Sequence, residues 1–297
     1  MPKCLCVIID GLSADTLACA HVPYFDGLAR EGVLSLQLKP VVPRLTLPVL
    51  VSLTTSLPPE AHGIHDNSGS VPVSPAAVSL FSLLRYRHQI SAVFYSNDRL
   101  RLLFPAGSLQ TGMLINAQGI RNVDLELAHH AALHLQREKP DFCLLYLEGA
   151  AIASTHFGRT TEAYLESVEQ ADRVLGLLLE HLTLVGLHRE YILMVMGCSG
   201  NGPPSKEDGQ LSSPWLVSGP GVRKGHVLDN PPSILDLAPT MAAFLDLAPH
   251  PDWRGRELTE VMRRSPRGVQ PLVRPRNGAA RKSRITGRSR ELILTKA

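Results

Sequence analysis

Aromatic residues make up only 5% of the sequence, so Leu, Val, Ile and Ala must supply most of any core. The cysteines are Cys4, Cys6, Cys19, Cys143 and Cys198, odd in number and irregular in spacing. They form no zinc-type CxxC pair, and they argue against a secreted disulfide framework. Long apolar runs are scarce too. The N-terminal "MPKCLCVIIDG" breaks at Asp10, too early for a signal h-region or a membrane span. No internal repeat is present. The expectation is a soluble, cytoplasmic chain.

The 297 residues are 44% hydrophobic and 19% charged, enough for one large or two small domains with a sizeable core. The net charge of +3 is unevenly spread. Residues 262–297 hold eleven Lys/Arg and one acid, Glu291, a local charge of +10. The rest carries 19 bases and 26 acids, a net −7. A domain over residues 1–261 and a disordered basic tail over 262–297 are expected. The tail has no aromatic residue for base stacking. Non-specific contact with nucleic acid or acidic lipid is the most it suggests.

Short apolar runs bounded by turn residues predict strands at 4–9, 91–95, 142–147, 192–196 and 215–217. Helical patterns alternate with them at 23–32, 46–56, 78–86, 123–138, 161–181 and 233–245, with Ser233 as an N-cap. This alternation predicts an α/β fold, a three-layer α/β/α sandwich around a mostly parallel sheet. In such sheets ligands bind outside the C-terminal strand ends. Asp10 sits at one such end, before Gly11, where a carboxylate can hold a metal or cap a turn. Thr46 lies between Pro43 and Pro48 and opens an apolar helix. A hydroxyl there is placed either to cap the helix or to attack a phosphoryl group beside free N–H groups. The run "YILMVMGCSGNG", 191–202, ends as such a site edge would, yet offers no carboxylate and no imidazole.

Asp10, "PRLTLP" around Thr46, and "PPEAHGIHDN" ending in Asn67 together resemble the alkaline phosphatase superfamily. The similarity is to its type I phosphodiesterase/nucleotide pyrophosphatase branch. "VPYFDGLAREGV", "WLVSGPGVRKG", "SILDLAPTMAAFLDL" and "WRGREL" continue the resemblance over residues 4–260. The resemblance implies a two-metal hydrolase, usually with zinc. In it Thr46 would be the nucleophile, Asp10 a metal ligand, and Asn67 the holder of a phosphate oxygen. Thr46 would also meet the metals as a ligand. A small cap or insert is expected within 68–120.

The family pattern is broken elsewhere. Anchoring "YLEGAAIASTHFG" on Tyr146 and Gly158 puts Ala151 at the family's Asp position and Thr155 at its His position. The Asp-His pair of the next strand tip becomes Cys198 and Ser199. Only Asp10 and Thr46 survive among six metal-binding positions, too few for two zinc sites. Glu148, His156 and Cys198 are the substitutes at hand, with Cys198 expected at an exposed site edge. His226 follows too late in the chain. His129, His130 and His134 share one helix, with no acid between the i,i+4 pair, and read as solvated.

Two functions follow from the resemblance. The first is a phosphodiesterase-like pseudoenzyme that binds a phosphorylated small molecule or a protein, with metal binding weak or absent. The alternative is an active phosphodiester or phosphomonoester hydrolase with a rearranged metal site. A nucleic-acid-associated scaffold using the tail is a third.

Overall fold

Alternate residues of the first strand face two different cores, and this parity positions the site. A computed structural model describes residues 2–116, 122–198 and 212–263. The strands are β1 (Lys3–Asp10), β2 (Gly32–Leu38), β3 (Ser91–Tyr95), β4 (Thr111–Leu114), β5 (Phe142–Leu147), β6 (Tyr191–Cys198), β7 (Ser213–Ser218) and β8 (His226–Val227). The helices are α1 (Ala14–Leu17), α2 (Pro23–Glu31), α3 (Thr46–Thr55), α4 (Pro59–His62), α5 (Leu80–Tyr86), α6 (Val123–Glu138), α7 (Gly149–Phe157), α8 (Glu162–Leu184) and α9 (Leu237–Phe244).

The eight strands form one sheet in the order β4-β3-β5-β1-β6-β7-β2-β8. All neighbours are parallel except β7, which runs antiparallel to both β6 and β2. Cys4, Cys6 and Ile8 pack with residues of α3, α5 and α9. Leu5, Val7 and Ile9 pack with residues of α2, α6 and α8 on the other face. Both faces of β1 are covered, which is why it reads as a continuous apolar run rather than an alternating one. The three-layer α/β/α architecture expected from the sequence is the architecture observed.

The predicted strands at 91–95 and 142–147 match the structure, as does the helix at 123–138. Ser233 caps as expected, in a reciprocal capping box with Asp236. Strands β2, β4 and β8 and helix α7 were not anticipated. β2 alternates small and polar residues with apolar ones, and β8 is two residues long. β6 runs on to Cys198 rather than stopping at Met196, because Gly197 and Cys198 continue the pairing with Ile9 and Asp10. Within 68–120, α5, β3 and β4 belong to the main sheet layers. Ser199, residues 202–211 and the basic tail beyond Arg263 lie outside the described residues.

Candidate functional site

Even-numbered residues of β1, β5 and β6 face α3, so Asp10, Tyr146 and Cys198 share one face at the ends of three adjacent strands. Cys4, Cys6, Ile8, Phe142, Leu144, Ile192, Met194 and Met196 set that parity by packing in the α3-side core. Register then brings Ile8 opposite Tyr146 and Asp10 opposite Cys198. The chain turns sharply after Asp10. Gly11 has φ +89°, and a Cβ there would stand 2.5 Å from Ala151 N in the first turn of α7. Only glycine allows that turn and that approach together.

Asp10 is fully buried. Its Oδ1 accepts from Gly11 N–H at 3.0 Å. Its Oδ2 accepts from the Tyr146 hydroxyl at 2.5 Å and from Thr46 Oγ1 at 3.1 Å. Burial pushes the Asp10 carboxyl up to about 6, against the opposing pull of these donors. Burial also raises the Tyr146 phenol well above its usual range, with the Asp10 charge adding to the effect.

Thr46 is the first residue of α3, whose ten residues are all buried. The N-cap, Leu45, has no capping side chain. Asn67 does that work from outside the helix, its Oδ1 accepting the Leu47 N–H at 2.9 Å. The loop carrying Asn67 is fixed by His62, buried, with Nε2 at 2.9 Å from Ser52 Oγ and Nδ1 accepting from Ile64 N–H at 3.1 Å. An Nδ1 that accepts assigns the hydrogen to Nε2. Burial pushes the His62 imidazole down to about 4.

Above Thr46 opens a cleft of about 430 Å³, lined on one side by Thr46, Leu47 and Asn67 and on the other by Glu148, Ala151, Thr155 and His156. The opposite wall is α7, which is capped by Asp124 of α6. Its Oδ1 accepts from Glu148 N–H at 3.1 Å and its Oδ2 from Gly149 N–H at 3.0 Å.

The structure thus brings together Asp10 and Thr46 directly, and places Asn67, Glu148 and His156 around the same cleft. Cys198 departs from expectation. It is 1% exposed, packed in the α3-side core rather than presented at an open edge. The continued strand pairing is the cause, since it keeps residue 198 under the sheet tip. His226 lies on β8, four strands from β1, roughly 19 Å away at the usual strand spacing. His129 and His130 are exposed on α6, and His134 packs its ring edge-on to Phe94. Tyr146 and Asp124 were not anticipated as site residues. For Tyr146 the parity of β5 relative to Asp10 is the signal that could have found it.

A two-zinc centre does not fit the described donor set. Among the described residues no three His, Cys, Asp or Glu side chains converge to hold a metal. Asp10, the acid that ends β1, already has both carboxylate oxygens engaged by protein donors. Ala151 and Thr155 line the wall where further ligands would stand, and Thr155 Oγ1 donates to the Ala151 carbonyl at 2.9 Å.

The site is thus a strand-end Asp beside a helix-opening Thr on a mostly parallel α/β sheet. Solved structures share the fold. A murine ectonucleotide pyrophosphatase/phosphodiesterase 5, inactive and in complex with AMP, superposes with a TM-score of 0.75 at 14% identity, over 89% of this chain and 100% of that one. A phosphonate monoester hydrolase from Silicibacter pomeroyi gives 0.66 at 15% identity, over 87% and 76%. In sequence, residues 4–79 match the family model "Type I phosphodiesterase / nucleotide pyrophosphatase". The Rattus norvegicus ectonucleotide pyrophosphatase/phosphodiesterase family member 1 is 25% identical over 247 residues, covering 75% of this chain. This chain spans 27% of that relative's length. The chain is thus similar to the type I phosphodiesterase/nucleotide pyrophosphatase branch of the alkaline phosphatase superfamily, in sequence over residues 4–79 and in fold over most of its length. That family is generally metal-dependent.

Proposed function

We propose that this chain is a phosphodiesterase/nucleotide pyrophosphatase-like protein that retains a cleft for a phosphorylated small molecule and turns phosphoesters over weakly or not at all. The observation that carries the reading is the state of Asp10. In a working two-metal site that carboxylate would face a metal. Here Tyr146 and Thr46 both donate to its Oδ2, and Gly11 donates to its Oδ1. The replacement of acid and imidazole by Ala151, Thr155 and Cys198 supports the same reading. A structural neighbour in complex with AMP supports a nucleoside monophosphate as the ligand class.

A second reading keeps hydrolysis. The Thr46 hydroxyl already donates to Asp10 at 3.1 Å, so Asp10 could take its proton as Thr46 Oγ1 attacks phosphorus. Cleavage of bis(p-nitrophenyl) phosphate decides between the two. The proposed function predicts release of p-nitrophenol no faster than that of the Thr46→Ala variant. A turnover that Thr46→Ala abolishes would establish the second reading instead.

A further inference from the structure

The cleft holds a cation that the family motif does not account for. Arg99 lies in the 3₁₀ turn Asp98–Leu103 directly after β3 and lines the same cleft as Thr46 and Asn67. Its stem passes beside the loop that carries Asn67, since a Cβ at Gly69 would lie 3.6 Å from Arg99 Cγ. Arg101, two residues on, is committed to Asp98 at 3.1 Å. Among the described residues Arg99 has no such carboxylate partner.

The adjoining part of the cleft, a hollow of about 900 Å³, shares Asn97, Arg99, Glu148 and His156 and adds Ser96, with the Asp98–Arg101 ion pair also on its lining. Ser96 is 7% exposed, and its Oγ is buried with no hydrogen-bond partner. Buried polar atoms are nearly always paired, so an orphan hydroxyl lining a cleft points to a polar group that completes it. His156 places Nδ1 2.9 Å from the Ile152 carbonyl. A carbonyl only accepts, so Nδ1 carries the hydrogen, and Nε2 remains for a second partner. Glu148 gives the cleft a direction. Its Oε2 accepts from Asn97 Nδ2 at 3.4 Å, and its charge would turn a phosphoryl group towards the Arg99 end.

We propose that Arg99 supplies the positive charge that a metal pair would otherwise bring, so that the cleft binds a phosphate monoester directly. The guanidinium takes the phosphoryl oxygens, and Ser96 Oγ and His156 Nε2 meet the polar atoms of the ester group. A planar guanidinium suits a phosphoryl group because it can donate two parallel hydrogen bonds. This inference rests on the metal-free reading of the site given above.

The test uses AMP as the probe, titrated calorimetrically into chelator-treated, full-length protein, with adenosine alongside. AMP is expected to bind and adenosine to bind at least about tenfold more weakly, the difference being the charge-assisted phosphoryl contact. Arg99→Gln should weaken AMP by about tenfold or more, with partial rescue by Arg99→Lys, whose ammonium keeps the charge without the fork. Arg101→Gln should change little. Equal AMP affinity in wild type and Arg99→Gln overturns the role of Arg99 and leaves the metal-free reading standing. AMP binding that appears only after zinc is added back overturns both. No AMP binding under either condition overturns this inference together with the proposed ligand class and leaves the metal-free reading standing.

Discussion

The Tyr146 hydroxyl donates to Asp10 Oδ2 across 2.5 Å, from the neighbouring strand and inside a fully buried pocket. A buried carboxylate needs donors, and here the protein provides them itself. Tyr146→Phe removes one donor and leaves the charge. It is expected to cost about 1–3 kcal/mol of stability at neutral pH, the usual penalty for an under-satisfied buried charge. In an Asp10→Asn background the same change should cost less than about 1 kcal/mol. Urea denaturation of the four proteins of the cycle measures the coupling; equal costs in both backgrounds would show that the two groups do not depend on each other.

Asp10→Asn alone should stabilise the protein. The Asp10 carboxyl is pushed up to about 6 by burial, above its unfolded value near 4. The folded state therefore holds the proton more tightly across that window, and stability falls as pH rises through it. The cost is fully present above about pH 6 and absent below about pH 4. The Asn variant, whose amide can donate to the hydroxyls of Tyr146 and Thr46, avoids it. A gain on the order of 1–3 kcal/mol is expected at pH 7.5, shrinking to nothing at pH 4. Melting curves across pH test this, and a lower melting point for the variant at pH 7.5 would mean that the carboxylate serves something beyond these hydrogen bonds.

His62 acts in the opposite direction. Its imidazole is pushed down to about 4 in the fold, against about 6.5 unfolded. Between those values the unfolded chain binds the extra proton, so stability is fully present above about pH 6.5 and is lost as pH falls towards 4. The loss is on the order of 2–3 kcal/mol. Protonation at Nδ1 would also break the bond from Ile64 and loosen the loop that carries Asn67. A His62→Gln variant should show a flatter stability profile between pH 6.5 and 4.5. A profile parallel to the wild type would remove His62 from the account.

Asp124 supports the far wall. It closes the first amides of α7, whose own N-cap residue Glu148 makes no capping bond. Asp124→Ala is expected to cost about 1–2 kcal/mol, the normal cost of losing a cap. Gly149→Ala should be destabilising for a linked reason, since the added methyl would meet Asp124 Oδ2 at 2.7 Å. The pair should be strongly non-additive in denaturant melts, because Asp124→Ala removes the atom the methyl collides with.

Much of the site was legible before any coordinates. Asp10 and Thr46 could be singled out from local pattern, an apolar strand ending in an acid and a helix opening between prolines, whereas Asn67 was named only through the family resemblance. The sheet was legible because buried parallel strands are continuous apolar runs. The missing pieces have physical causes. β2 breaks its apolar pattern with Ser35 and Gln37, and α7 begins with small residues that carry no helical periodicity. Tyr146 looked like one more core aromatic, and its role depends on cross-strand register that no local stretch reveals. Cys198 looked like a tip residue because the apolar run ends at Met196, but backbone pairing with β1 carries it two residues further into the interior.

The central claim is that the strand-end carboxylate is held by protein donors instead of metal. Equilibrium dialysis of the purified full-length protein against zinc, followed by elemental analysis, tests it most directly. The account predicts no zinc retained above the level bound by the Asp10→Asn variant. About two zinc ions per chain, both lost in that variant, would restore the two-metal site and contradict it.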